Sequence, residues 1–106
     1  MSFDIAKIVG FEWDLNNLEH IKEHDVDYKE CEEVFTNLPL VILDDEQHSK
    51  LEERFSVFGV NSSGRKMALA ITVRNNKIRV IMARDQSRKE RRVLEDTNIK
   101  LGGVKK

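Results

Sequence analysis

The stretch RFSVFGVNSSGRKMALAITVRNNKIRVIMARDQSRKERR, residues 54–92, decides the fold. Its apolar residues alternate in three short runs separated by polar turns, as is typical of consecutive antiparallel strands. The runs predict strands over residues 54–60, 65–74 and 77–84. Residues 61–64, Asn-Ser-Ser-Gly, predict the first turn, and Asn75-Asn76 can adopt the positive φ angles of a two-residue hairpin turn.

A helix is expected directly after the last of these strands. Ser87 and Glu90 have the spacing of a capping box, in which each residue accepts a hydrogen bond from the other's backbone N–H. We expect this helix to run to about Asp96. From about residue 97 the chain carries Gly102-Gly103 and terminal lysines, which predict a flexible tail.

The residues before Arg54 predict two helices and two further strands. In order, they predict a strand over residues 7–13, a helix over 15 to about 23 capped by Asp14, a second helix capped by Asp27 with Glu30 and ended by Asn37 and Pro39, and a strand over 40–43. Residues 44–50 form an acidic, mobile loop in this prediction. The predicted order is β-α-α-β-β-β-β-α, an α+β domain with an antiparallel sheet, two N-terminal helices and one C-terminal helix.

Composition narrows the class of protein. The 106 residues predict a single domain, and 40% hydrophobic with 35% charged residues is typical of a globular protein with an ionic surface. Cys31 is the single cysteine, so neither an internal disulfide nor a cysteine zinc site is expected. No basic-then-apolar leader opens the sequence and no apolar run approaches the length of a membrane span, so the default expectation is a cytoplasmic protein without a membrane contact.

Charge is strongly polarised along the chain. Residues 54–92 carry eleven lysines and arginines against two carboxylates, a net charge of +9, whereas residues 1–53 carry four lysines against fifteen carboxylates, a net charge of −11. Such asymmetry favours a nucleic-acid or other anionic partner for the basic part. The alternative is that the arginines pair with the acidic N-terminal half and form a solvated ionic shell.

An anion site is predicted where the last strand meets the last helix. Arg79, Arg84 and Arg88 flank this junction. Cations at a helix N-terminus oppose the macrodipole, and a local rule broken in this way often marks a functional site. Cations, backbone N–H groups and the dipole would all favour an anion such as phosphate.

His20 and His24 lie four residues apart and share one face of the first predicted helix. A zinc-protease motif needs a glutamate directly after the first histidine, but Ile21 stands there and no third ligand is nearby. We therefore expect no metal site. Neutral imidazole titrates near neutral pH, so either histidine could transfer protons in RNA cleavage. No glycine-rich phosphate loop is present, and no cofactor is expected.

Several short motifs occur in the order seen in a known family. They are Phe11-Glu12-Trp13-Asp14 with Asn17, His24 and Val26, then Glu32-Glu33-Val34-Phe35, Arg54 with Gly59, Gly64-Arg65, Ile78-Arg79-Val80-Ile81, Ala83-Arg84 and Arg88-Lys89-Glu90. Together they resemble the BrnT-type toxins over residues 11 to about 95. Met82 departs from that pattern, which usually has serine there.

The resemblance implies a RelE-like fold and a toxin of a type II toxin–antitoxin pair whose ribonuclease activity arrests translation. It also implies a BrnA-like antitoxin with a ribbon-helix-helix part, DNA contact only through that antitoxin, and a possible toxin–antitoxin heterotetramer.

Metal-independent RNA cleavage by the 2′-OH needs a base, an acid and cations for the charge on the phosphorane. Arg65, Arg79 and Arg84 are the candidates for transition-state stabilisation, and His20, His24 and Glu53 are the candidates for proton transfer. Further phosphate contacts are predicted for Arg54, Lys66, Arg88 and Lys89. Two other functions stay open: a module that binds RNA or the antitoxin without catalysis, and a structural half of a heteromer.

Overall fold

Within residues 3–48 and 52–100, the part of the chain that it describes, the computed structural model forms a five-stranded sheet with helices on both faces. The strands are β1 (Gly10–Phe11), β2 (Val41–Asp44), β3 (Arg54–Val60), β4 (Lys66–Arg74) and β5 (Lys77–Asp85). The helices are α1 (Leu15–Lys22), α2 (Tyr28–Val34) and α3 (Arg88–Lys100). The predicted α+β class and the predicted order of elements are confirmed.

The strand order across the sheet is β1-β5-β4-β3-β2. β2, β3, β4 and β5 form an antiparallel meander, as predicted. The sheet is nevertheless mixed, because β1 pairs with β5 in parallel, with Gly10 opposite Lys77 and Phe11 opposite Ile78. This pairing covers the start of the outer edge of β5, at Lys77 and Ile78, whose backbone groups would otherwise lack partners in the sheet.

The strands of the meander match their predicted bounds to within about one residue, but the first strand was predicted too long. Asp4 caps a 3₁₀ turn over Ile5–Lys7 by accepting from the backbone N–H of Ala6 at 3.0 Å, so the chain is not extended there. Part of the predicted mobile loop forms a second 3₁₀ turn, Glu46–His48, and Ser49 and Lys50 lie outside the described residues.

The last helix extends beyond its predicted end at Asp96. Residues 97–100 of the predicted flexible tail are helical, and residues 101–106 lie outside the described residues.

All three predicted helix caps are present. Asp14 and Asn17 form a reciprocal capping box at α1, with hydrogen bonds of 2.8 and 3.0 Å. Asp27 and Glu30 do the same at α2. At α3, Glu90 Oε1 accepts from the Ser87 N–H at 2.8 Å, and Ser87 Oγ accepts from the Glu90 N–H at 3.2 Å. These contacts satisfy backbone donors that have no helical partner.

The two predicted turns are also confirmed. Asn75 and Asn76 have φ angles of 53° and 62° between β4 and β5. Gly64 has a φ angle of 88° in the turn between β3 and β4, a value that glycine adopts without steric cost.

The main core lies between the sheet and the first two helices, on what we call the α1/α2 face. Val57, Leu69 and Val80 of the sheet pack there with Ile21 of α1 and Val34 of α2, and all five are buried. Leu15 of α1 does not join this core and is 78% exposed, because α1 contacts the sheet through the face that carries Asn17 and Ile21.

A smaller core lies on the opposite side of the sheet, the α3 face. Leu94 of α3 packs on Val41, Phe58 and Ala68, which are buried beneath it. These contacts involve one end of β2, β3 and β4, so α3 leaves the rest of the face uncovered. The candidate site lies on this open part.

Candidate nucleic-acid interface

Three of the predicted arginines project from the α3 face. Arg54 and Arg79 both lie opposite Thr72 of the central strand, one on each side of it. Arg84 lies opposite Ala68, which belongs to the small core under α3. Thr72 and Ala68 are an even number of residues apart on β4 and therefore share a face.

A β-bulge brings Arg79 and Arg84 to this common face. In a regular strand, residues five positions apart point to opposite faces. The register between β4 and β5 shifts at Ala70 and Ile71, so that Met82 lies opposite Ala70 but Val80 lies opposite Ile71. β5 therefore carries one extra residue, and every side chain beyond it changes face. Without the bulge, Arg84 would point towards α1 and α2.

Arg79 is held by carboxylates from the segment that follows β1. Its Nη2 donates to Asp14 Oδ2 at 2.7 Å, and its Nη1 lies 3.7 Å from Glu12 Oε1. The hydrogen bond from Asn17 N–H and then the one from Arg79 hold the pKa of Asp14 below its usual value. Asp14 thus caps α1 with one oxygen and fixes Arg79 with the other. The side chain of Arg79 is only 15% exposed.

Arg84 forms a two-pronged ion pair with Glu90. Its Nη1 and Nη2 donate to the two carboxylate oxygens at 2.7 and 2.8 Å, and Nη1 also donates to the Asp85 carbonyl at 3.1 Å. This pairing is the main reason that the pKa of Glu90 falls to about 2. The same pairing raises the pKa of Arg84, so both groups are ionised at neutral pH.

A cavity of about 310 Å³ lies beside these groups on the α3 face. Arg54, Arg84 and Glu90 line it together with Ser56 and Met82, and its floor includes Ala68 and Ala70. Small residues in the lining leave space for a ligand. Two arginines, Arg54 and Arg84, and two carboxylates, Asp45 and Glu90, line the cavity, and the arginines can bind an anionic ligand there. Met82 occupies this wall where the resemblance led us to expect a serine.

Three of the residues predicted to bind phosphate lie around the junction of β5 and α3. Lys66, Arg88 and Lys89 are exposed, and none of them forms an ion pair with the rest of the described chain. They extend the positive charge outward from Arg84 along the start of α3. The alternative prediction was that arginines of residues 54–92 pair with the acidic N-terminal half. This pairing is present for Arg65, Arg74 and Arg79.

Arg65 lies at a different place. Its Nε donates to Asp85 at 2.7 Å, its Nη1 donates to Glu30 and to the Asp25 carbonyl, and its Nη2 donates to the His24 carbonyl. These bonds join the start of β4 to the loop between α1 and α2. The structure therefore places Arg65 as a clamp on the α1/α2 side of the molecule, with each of its nitrogens engaged.

His20 and His24, two of the three predicted proton-transfer residues, lie away from the arginines of the α3 face. His20 is 49% exposed on α1, which packs on the opposite face, and its Nε2 lies 3.9 Å from Glu23. His24 follows α1 beside the Arg65 clamp. Glu53 lines a separate cavity with Phe3, Phe55 and Val73, which belong to the α1/α2 face.

Sequence reasoning missed the acidic partners of the site. Glu12, Asp14 and Glu90 hold the arginines, although the sequence patterns gave Asp14 and Glu90 no role beyond helix capping and gave Glu12 none. Glu90 could have been identified by its charge. A capping box also accepts an uncharged glutamine at this position, so a carboxylate close to several arginines indicates an ion pair in addition to the cap. Glu12 and Asp14 could not be found in this way, because their approach to Arg79 depends on the parallel pairing of β1 with β5.

Among residues 3–48 and 52–100, no group of three histidine, cysteine, aspartate or glutamate side chains is placed to hold a metal ion. No helix in the same residues is long and apolar enough to cross a membrane.

The sequence was compared with known proteins. A family model described as the ribonuclease toxin, BrnT, of type II toxin–antitoxin systems matches residues 13–90. No curated protein matches the sequence significantly. The family match begins at Trp13, before α1, and ends at Glu90, so it includes every strand of the meander and the Arg84–Glu90 pair. Because it spans well over half of the chain, the protein belongs to the BrnT family of ribonuclease toxins of type II toxin–antitoxin systems.

Proposed function

We propose that this protein is an endoribonuclease toxin that cleaves RNA on the α3 face without a metal ion. The observation that carries the proposal is the bulge in β5, which sets Arg79 and Arg84 on the same face as Arg54. Arg54 and Arg84 line a cavity on this face. Bulges of this kind often occur next to active sites, where they redirect a side chain.

In the proposed reaction, the 2′-oxygen of one nucleotide attacks the adjacent phosphorus and the bond to the 5′-oxygen of the next nucleotide breaks. The products are a 2′,3′-cyclic phosphate and a free 5′-hydroxyl. The proton of the 2′-OH goes to a base, and the leaving 5′-oxygen receives one from an acid. Arg54, Arg79 and Arg84 bind the phosphate and stabilise the extra negative charge of the phosphorane.

The side chains that move these protons remain a proposal. Asp14 and Glu90 are poor bases, since hydrogen bonds hold both pKa values low. His20, His24 and Glu53 stay the candidates for proton transfer. His20 and Arg79 lie on opposite faces of the sheet, so an RNA that contacts both must pass around the edge formed by β1. Arg65 is a weaker candidate for phosphate binding than Arg84, because phosphate would have to displace its present partners.

We further propose that a BrnA-like antitoxin with a ribbon-helix-helix part neutralises the protein. Acidic residues of the antitoxin would cover the arginines of the α3 face and the exposed cations at the start of α3, and so exclude RNA. Contact with DNA would then come only through the antitoxin, in a toxin–antitoxin heterotetramer.

A second function is favoured by the separation of His20 and His24 from the arginines of the α3 face. A module that binds RNA or the antitoxin needs cations but no base or acid. It would bind RNA with a steep dependence on salt concentration and would form no cleaved product.

The first experiment incubates the purified protein with end-labelled RNA in EDTA. We expect cleavage that falls by roughly 10²–10³ in Arg84→Ala, because the variant loses a cation that stabilises the transition state. Lys29→Ala is the matched control, since it also removes one positive charge but lies exposed on α2, away from the α3 face. Its rate should equal that of the unmodified protein.

A loss of less than about threefold in Arg84→Ala would remove Arg84 from the reaction. Intact RNA with every variant would favour the non-catalytic module or an enzyme that acts only on the ribosome. A parallel incubation with translating ribosomes separates these two results.

A further inference from the structure

The guanidinium of Arg84 is fixed along one side and open along the other. A guanidinium has five N–H groups in a rigid plane. Glu90 accepts one from Nη1 and one from Nη2, and the Asp85 carbonyl accepts the second one from Nη1. The Nε–H and the second Nη2–H remain, and both lie in the plane of the guanidinium along the same edge.

This remaining edge is accessible to a ligand. Arg84 Nε has no hydrogen-bond partner among the described residues. The side chain of Arg84 is 34% exposed, so solvent or a ligand can reach it. Arg84 lines the cavity of the α3 face, and an Nε–Nη2 edge fits two oxygens of one phosphate.

We propose that Glu90 is a positioning residue that holds Arg84 with its Nε–Nη2 edge towards the RNA phosphate. The proposal rests on the function proposed above. Glu90 stays bound while the phosphate occupies the open edge, so the ion pair is part of the working site and does not compete with RNA.

The same carboxylate also ties Arg84 to the start of α3. Oε1 of Glu90 accepts both from Arg84 Nη1 and from the Ser87 N–H. The side chain of Glu90 is 20% exposed, so water competes weakly for these bonds. Arg84 and the first turn of α3, which carries Arg88 and Lys89, are thereby held in one arrangement towards the phosphate backbone.

A competing role for Glu90 predicts the opposite effect. If the carboxylate occupied the place of the phosphate, it would have to leave before RNA could bind. Its removal would then increase RNA affinity and cleavage. The direction of the change therefore separates a positioning residue from an internal competitor.

The test uses Glu90→Gln, because glutamine is also accepted at this position of a capping box but its NH₂ group cannot accept from Arg84. We expect the maximal cleavage rate to fall by roughly 10–100-fold, as for a misplaced catalytic group, with a smaller change in KM. Ser87→Ala is the matched control, since it removes the other half of the same cap and leaves the Arg84–Glu90 pair. Its rate should stay within about threefold of the unmodified protein.

The double variant Arg84→Ala/Glu90→Gln shows whether Glu90 acts through Arg84. We expect it to cleave no more slowly than Arg84→Ala alone. Three outcomes would overturn the inference. Glu90→Gln could lower the cleavage rate by the same factor in the unmodified protein and in Arg84→Ala. Ser87→Ala could lower the rate as much as Glu90→Gln, or Glu90→Gln could cleave RNA faster than the unmodified protein.

A binding measurement keeps the inference distinct from the cleavage reaction. A 2′-O-methyl oligoribonucleotide, which lacks the attacking hydroxyl, is added to ¹⁵N-labelled protein, and the Nε–H resonance of Arg84 is followed by NMR. We expect this resonance to shift in the unmodified protein and to shift less in Glu90→Gln. If the Arg84 resonance shifts as expected but no RNA is cleaved, the ribonuclease function is rejected and the inference about Glu90 is retained. An unchanged Arg84 resonance at saturating oligonucleotide would reject the inference even if RNA is cleaved.

Discussion

At the scale of single residues, the ion pair between Glu90 and Arg84 should make the stability of the protein depend on pH. The hydrogen bonds from Arg84 and from Ser87 lower the pKa of Glu90 from 4.5 to about 2 in the folded chain. A carboxyl group with a lowered folded pKa stabilises the protein above its unfolded pKa, and this contribution is lost as the pH falls through the folded value. The window is therefore about pH 4.5 down to about 2. The contribution at neutral pH is about 3 kcal/mol at most.

Urea unfolding at a series of pH values measures this contribution. Asp14, Glu52 and Asp85 also have lowered pKa values, so acid destabilises the unmodified protein through several groups. The difference in unfolding free energy between the unmodified protein and Glu90→Gln isolates the Glu90 term. We expect this difference to be largest near pH 7 and to shrink below pH 4.5. A difference that stays constant to pH 2 would contradict the assigned ion pair.

The residues of the site were predictable to different degrees. Arg54, Arg79 and Arg84 were chosen from charge and resemblance, and the structure brings them to one face. Arg65 belongs to the same basic stretch, but it precedes β4 and turns towards Glu30 and Asp85 on the other side of the sheet. Charge alone cannot separate these cases, since the face of a side chain depends on register.

At the scale of elements, local chemistry was predictable and non-local pairing was not. The three capping boxes and the Asn75-Asn76 turn involve groups within a few residues of one another, so the sequence contains their full cause. The bulge in β5 depends on how that strand pairs with β4, and the parallel position of β1 depends on a partner near the other end of the chain. Neither leaves a local signal.

Gly59 gives a prediction about how α2 packs on β3. A Cβ atom at this position would lie 2.7 Å from Cγ1 of Val34, a buried and β-branched side chain that has little freedom to move. We expect Gly59→Ala to destabilise the protein by about 1–3 kcal/mol, as overpacking does. Thermal unfolding should show this as a lower Tm.

Gly10→Ala is the matched control for Gly59→Ala, because no atom would lie within 4 Å of its Cβ. Its Tm should be unchanged or slightly higher. A further variant, Gly59→Ala with Val34→Ala, should lose less stability than the two single changes added together, since the smaller side chain relieves the contact. Simple additivity would show that the contact is not the cause.

At the scale of the whole molecule, the ion pairs between Arg65, Arg74 and Arg79 and the acidic half neutralise only part of the basic stretch. The exposed Lys66, Arg88 and Lys89 keep a positive field at the junction of β5 and α3. A partner that covers this region with acidic residues should be drawn to it over a long range.

Association rates with a BrnA-like antitoxin test this field. We expect the rate constant to fall steeply as salt is raised from 50 to 500 mM, while the dissociation rate changes less. The triple variant Lys66→Ala/Arg88→Ala/Lys89→Ala should associate more slowly and with a weaker salt dependence. Lys29→Ala again serves as the control. Rates that are flat across this salt range would argue against an electrostatically guided partner.

The parallel pair between β1 and β5 also has a consequence for folding. The hairpins of β3, β4 and β5 join neighbours in the chain, whereas Gly10 must meet Lys77 across most of the domain. Contacts of such high contact order form late, since the entropy of closing a long loop must be overcome first. On a ribosome, the N-terminal segment emerges first but has no strand to join until β5 has been synthesised. The carboxylates that hold Arg79 therefore reach it only after β5 has been synthesised, in one of the last steps of folding.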